Sequence, residues 1–245
     1  MTALERFFPE VGAGGYSRRD GTLEFFGRVN ALLDPNGVAL DLGAGRGRGA
    51  VDDTVEYRRR MRVLRGKCRR VIGIDVDPAV LDNPGLDEAY VIEHDAPLPL
   101  DDSSVDLVVS DMTFEHIDHP AHTAAELTRV LRPSGWICAR TPNRWGYIGI
   151  AANAIPNRWH VALLKYLQPQ RKEIDVFPTT YMLNTKRQLR RYFPNEKFTH
   201  YTYGHAPEPA YFAGVRLAWA IALLMDRITP QQMAPFLLIF LQKRV

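Results

Sequence analysis

Residues 38–49 read VALDLGAGRGRG, and the reading of this stretch decides the fold. Val38, Ala39, Leu40 and Leu42 form a short apolar run, the signature of a strand buried on both faces. Asp41 sits at its end. Glycine then recurs at alternate positions, Gly43, Gly45, Gly47 and Gly49. Glycine has no Cβ, so it accepts positive φ and lets a ligand approach the backbone. A strand that turns through such a loop into a helix presents free N–H groups and a positive helix end at the carboxyl edge of a sheet. That edge is where open α/β folds bind small ligands.

Two ligand classes compete for the loop. Gly45, Gly47 and Ala50 fit the dinucleotide pattern GxGxxA, but that match starts two residues too far from the strand. The simplest alternative is a glycine-rich turn with no ligand. An acidic residue followed by GxGxG covers the whole stretch. In that register Asp41, Gly43, Gly45 and Gly47 resemble the first motif of class I S-adenosylmethionine (SAM)-dependent methyltransferases.

The following strands extend the resemblance. Val71 to Ile74 reads as a strand ending in Asp75, followed by Val76, Asp77 and Pro78. A carboxylate there can accept hydrogen bonds from both ribose hydroxyls. The interval from Asp41 to Asp75 exceeds the usual ~20 residues, and the excess is read as a lengthened basic helix. Asp77 is the fallback ligand. Glu88 to Glu93 reads as a third strand, and HDAPLPLDDSSVDLVVSD after it resembles the family's second motif. The resemblance implies that Asp95 accepts from the adenine amine and that the Ala96 N–H meets the ring. It also places Ala44, Val76 and Ser110 in the cofactor site. Val105 to Val109 is a fourth, buried strand.

DMTFEH, residues 111–116, closes that strand, and in the family this segment lines the methyl-transfer pocket. His116 is the expected general base, because an unperturbed imidazole titrates near neutral pH, and Asp111 is the second candidate. His116, His119 and His122 are spaced by threes, which invites a metal reading. Pro120 interrupts them and no cysteine supports zinc, so no metal is expected.

Trp136 to Ala139, Lys197 to Tyr203 and Ala234 to Lys243 complete the expected architecture. It is an α/β, Rossmann-like seven-stranded, mostly parallel sheet with helices on both faces and the last strand antiparallel. One domain over residues 1–245 is expected, with a cap-like insertion at about 143–184 that is rich in aromatics. The wording TPNRW and DVFPTTYMLNT in and beside it resembles a type 11-like, small-molecule branch of the superfamily. Asn143, His160 and Tyr181 are its candidate acceptor-binding residues. The resemblance does not name the acceptor. It implies methyl transfer to O or N of a small-molecule, sugar or lipid-linked group. A nicotinamide-dependent oxidoreductase and a non-catalytic SAM-binding protein are the alternatives.

Composition bounds the rest. The 245 residues suffice for one full core, and a formal net charge of +3 is too small to argue for nucleic acid. Two distant cysteines, Cys68 and Cys138, form no disulfide framework, and the N-terminus lacks the apolar core of a signal peptide, so a cytoplasmic protein is expected. Residues up to Ser17 read as a loose arm. Tyr16 and Arg18 can reach a SAM carboxylate from it, but ordinary surface roles are the simpler reading. The basic run Tyr57 to Arg70 reads as a solvated helix face, with Met61 and Leu64 inward. Tyr211 to Ile228 reads as a helix apolar on most sides; burial is favoured over a peripheral membrane contact. Nothing in the sequence sets the oligomeric state.

Overall fold

The structure is a computed structural model that describes residues 1–146, 179–209 and 215–245. The glycine-led strand is β1 (Val38–Leu42), at the centre of a sheet ordered β3-β2-β1-β4-β5-β8-β6. Its companions are β2 (Arg70–Asp75), β3 (Glu88–Val91), β4 (Val105–Asp111), β5 (Leu131–Pro142), β6 (Phe198–His200), β7 (Tyr203–His205) and β8 (Phe236–Lys243). β1 to β5 run parallel, and β8 lies antiparallel between β5 and β6.

The described sheet has eight strands rather than seven. Both β6 and β7 pair with β8, with His200 opposite Leu241 and Tyr203 opposite Leu238. The expected sixth strand is therefore one edge strand interrupted at Tyr201 and Thr202. An edge strand has a neighbour on one side only, so a break there disturbs a single ladder.

Side-chain alternation builds the two faces. Leu40, Ile72, Val108, Ile137 and Ile239 join one core cluster, with Leu127 of α5 (Pro120–Val130) and Leu189 of α6 (Lys186–Tyr192). Ala39, Val71, Val109, Cys138 and Leu238 face the other way, against Phe25, Phe26 and Val29 of α2 (Gly21–Leu32). Asp20 starts α2 by accepting hydrogen bonds from the N–H groups of Thr22 and Leu23.

Three expectations need correction. The N-terminal arm is not loose: α1 (Ala3–Phe7) opens on a capping box between Thr2 and Glu5, and Phe8 is buried. Phe7 stacks on Trp219 with ring centroids 6.1 Å apart, so apolar burial outweighs the chain freedom of Gly12, Gly14 and Gly15. The basic helix is not one solvated face. It consists of α3 (Arg48–Val51) and α4 (Glu56–Arg62), and Arg58 and Arg62 turn inward onto carboxylates. Leu64 is buried and Met61 packs on the core, as expected. Finally, α7 (Arg216–Ile228) fully buries only Trp219 and Ala222, and its other face is open.

Candidate active site

β1 and β4 are neighbours in the sheet, but their connections leave toward opposite sides. The crevice between their carboxyl ends is the topological switch point. A cleft of about 1170 Å³ opens there, above the few hundred that a small ligand needs. Gly43, Ala44, Gly45, Gly47, Asp41, Asp75, Val76, Asp111 and His116 all line it. Most residues assigned to cofactor binding and both assigned to catalysis thus come together.

The loop is held by backbone bonds that only this spacing allows. The Gly43 N–H donates to the Ile74 carbonyl at 2.8 Å, tying the loop to the end of β2. The Gly45 N–H donates to Asp75 Oδ2 at 2.7 Å, and the Asp77 N–H to Asp75 Oδ1 at 2.9 Å. Gly43 and Gly47 have φ of +76° and +73°, and a Cβ on either would overlap Thr113 or Asn83 respectively. At Gly45 (φ +48°) the nearest atom to an added Cβ is Asp75 Oδ2 at 3.9 Å. The backbone there faces open space, which is the cradle an adenosyl-amino acid needs. Asp77 caps the turn after β2 by accepting from the Ala79 N–H, so the fallback carboxylate is already engaged.

Beneath the loop lies a charged cluster that sequence reasoning missed in part. Arg140 donates to both oxygens of Asp111, at 2.7 and 2.8 Å, and Arg62 donates to Oδ2 at 2.9 Å. Burial pushes the Asp111 carboxyl up, but the two guanidinium groups outweigh it and hold it below the ordinary range. Asp111 is thus an anchor for two arginines and a poor proton acceptor. Asp41 is pushed up to about 7 by burial and by the nearby Asp111 and Asp75, which outweigh the opposing charge of Arg62.

Glu115 is the second omission. It lines the cleft, is 3% exposed and accepts from the Thr141 hydroxyl at 2.8 Å. Burial raises it to about 7. Its Oε1 lies 4.0 Å from His116 Nε2. The signal was present in DMTFEH: a glutamate next to the candidate base, flanked by the apolar residues of a buried segment. Arg140 and Asn83 carried no such signal. Asn83 donates to the Ala44 and Gly45 carbonyls at 3.0 and 3.1 Å, clamping the loop from a turn far away in sequence.

Other assigned residues fall elsewhere. Ser110 is fully buried and donates to the Leu42 carbonyl, tying β4 to β1. Asp95 and Ala96 are not among the cleft-lining residues, although neighbouring His94 is. The Ala96 N–H donates to the Glu93 carbonyl, and Asp95 lies 3.1 Å from His119. Asn143 is buried: its amide donates to the Gln232 and Ala234 carbonyls, and its oxygen accepts from the Trp145 N–H. Its polar groups are all used in the fold, not in the cleft. Tyr181 is buried beside Glu115, whose carbonyl accepts its N–H, and does not line the cleft. His160 and residues 147–178 of the expected cap lie outside the described residues. Tyr16 packs near Tyr57, and exposed Arg18 pairs with Glu10. Asp95, Asp118 and His119 bring ligand atoms within 4.8 Å of one another, an exposed grouping of a kind common without an ion.

An open, doubly wound sheet with a glycine loop and an acid at the end of the second strand is a frame on which α/β domains bind nucleotides. Comparison with known proteins narrows it. Residues 40–139 match a family model described as a methyltransferase domain, of type 11. A Mycolicibacterium smegmatis protein described as a probable S-adenosylmethionine-dependent methyltransferase is 38% identical over 112 residues, 43% of this chain and 38% of that one. Among solved structures, the methyltransferase in complex with the Haloferax volcanii Trm112 activator superposes with a TM-score of 0.57 at 18% identity, covering 91% of this chain and 90% of that one. A Thermotoga maritima SAM-dependent methyltransferase gives 0.53 at 15% identity, covering 99% of both. These two show the shared fold. The likeness to SAM-dependent methyltransferases runs through residues 40–139. The chain spans less than half the length of the mycobacterial relatives it matches.

Proposed function

We propose that this protein is a SAM-dependent methyltransferase acting on an oxygen or nitrogen of a small-molecule, sugar or lipid-linked acceptor. The observation that carries the reading is the coupled loop and acid: Gly45 presents open backbone to the cleft while its N–H orients the Asp75 carboxylate. The residues fit the cofactor. Gly43 to Gly47 would take its amino-acid end, Asp41 its ammonium group and Asp75 its ribose. The adenine would lie toward His94, which lines the cleft, with Asp95 beside it in sequence; the Ala96 N–H is already used on the Glu93 carbonyl. When bound, SAM supplies a methyl group on a positively charged sulfur, a leaving group already activated.

The protein's task is then to align the acceptor, exclude water and take a proton where the acceptor is a hydroxyl. His116, in the turn that follows β4, lines the cleft and is the base. Asp111 serves as a fixed anion that positions Arg62 and Arg140. Glu115, with Oε1 4.0 Å from His116 Nε2, is the acidic neighbour of that base.

Calorimetry with SAM and with NAD tests the ligand. SAM binding without NAD binding is expected, and the reverse would restore the oxidoreductase alternative. Turnover of labelled methyl groups separates an enzyme from a non-catalytic binder. His116→Ala is expected to lower kcat by about 10²-fold with SAM affinity unchanged. Full turnover at saturating acceptor would remove its role as base.

A further inference from the structure

Among the described residues, α7 carries the widest run of exposed apolar side chains. Leu217, Ile221, Leu224, Met225 and Ile228 are 71, 54, 60, 49 and 69% exposed. Their spacing puts all five on one stripe about 100° wide, because each residue advances a helix by about 100°. An apolar stripe of that width normally faces a core. Here the core side is the opposite one, where Trp219 meets Phe7 and Phe8 and Asp226 accepts from Arg19 at 2.8 Å. The helix is thus properly seated and still shows its apolar face to the outside. A contiguous exposed apolar patch marks an interaction site.

Charge selects the occupant. Arg216 and Arg227, about three turns apart, lie on the same flank of the stripe. The helix's one acid, Asp226, is turned inward and neutralised by Arg19. The exposed side is therefore apolar with arginines along one flank, the pattern of a helix that lies in the headgroup region of an anionic bilayer. Topology orients it. Phe236 pairs with Pro142, the last residue of β5, so the connection from α7 into β8 lies at the carboxyl edge of the parallel strands, the edge that carries the cleft. No helix among the described residues is long and apolar enough to cross a membrane, so the contact is peripheral.

We propose that α7 docks this protein onto an anionic membrane surface through the Leu217–Ile221–Leu224–Met225–Ile228 stripe, with Arg216 and Arg227 against the headgroups. The docking does not depend on the methyl-transfer reading, since none of these residues lines the cleft.

Co-sedimentation of the full chain with two kinds of vesicle tests it: phosphatidylcholine alone, and phosphatidylcholine mixed with phosphatidylglycerol. The expected result is binding to the mixed vesicles about tenfold stronger than to the neutral ones, weakened by salt. Ile221→Glu combined with Leu224→Glu should lower binding at least ~tenfold while leaving the circular-dichroism melt and SAM binding unchanged. Arg216→Gln with Arg227→Gln should lower it several-fold. Wild-type protein that stays in solution with both vesicles overturns the proposal. So does an apolar-stripe variant that sediments like wild type, which would assign binding to the basic run Tyr57 to Arg70. A wild-type dimer that the same variant converts to monomer, without vesicle binding, would give the stripe to a second copy instead.

Discussion

Asp75 and Asn143 hold equivalent stations, just at or after the carboxyl end of a parallel strand, yet only one faces the cleft. In the first half of the sheet the strands end in carboxylates, Asp75 and Asp111, which meet a loop of glycines and two arginines. In the second half the same edge meets the chain's own backbone. Asn143 donates to the carbonyls of Gln232 and Ala234, and Asn184 donates to Thr141 and to the Pro142 carbonyl. The difference is steric. Glycines leave the crevice after β1 open, whereas after β5 the approach to β8 takes up the polar groups of Asn143. A polar residue at a strand end is available to a ligand only where the fold has not already used its hydrogen bonds.

Gly43→Val should be the most damaging change. It forces a β-branched residue to a φ of +76° and drives a side chain into Thr113. A loss of about 4 kcal/mol is expected in chemical denaturation, with SAM binding abolished in calorimetry. Gly45→Ala, with nothing nearer than 3.9 Å, should cost only about 1 kcal/mol. Equal damage at both positions would show that the loop is uniformly packed and holds no cradle.

A second test concerns Glu115. Its carboxyl sits near 7 in the fold against an ordinary 4.5, so the native state keeps a proton that the unfolded chain releases between those values. Stability should fall as pH rises from about 4.5 to about 7, and level off above, by about 3 kcal/mol for this group. Asp41 adds a slope of the same sign. Thermal melts across that range should flatten in Glu115→Gln; an unchanged slope would mean the carboxyl is solvated through the cleft.

Asn143→Ala separates the two halves directly. Stability should drop by about 2 kcal/mol as two carbonyls and the Trp145 N–H lose their partner, while SAM affinity stays at the wild-type value. Weakened SAM binding would return Asn143 to the site. Asp75→Asn should do the reverse, weakening SAM about tenfold in calorimetry with a smaller stability change.

The half of the site that was legible in the sequence is the half made by the backbone. Alternating glycines and terminal acids signal their geometry locally, because φ and strand register are set within a few residues. Glu115 and Arg62 were visible as residues but not as neighbours. The Asp111–Arg62–Arg140 cluster joins three elements, and no periodicity links them. The segment of α7 was legible as a helix apolar on most sides. Its outward-facing stripe was not, because that depends on which face Trp219 commits to the core.

The parallel strands along the first half of the chain, the buried apolar runs and the glycine loop were readable from local pattern, since sterics and burial on both faces leave little choice there. Tertiary structure decided which charges meet beneath the loop, that Asn143 serves the core, and that an apolar helix face is left outside. Those outcomes turn on long-range packing, where a side chain's role is fixed by what else occupies the space around it.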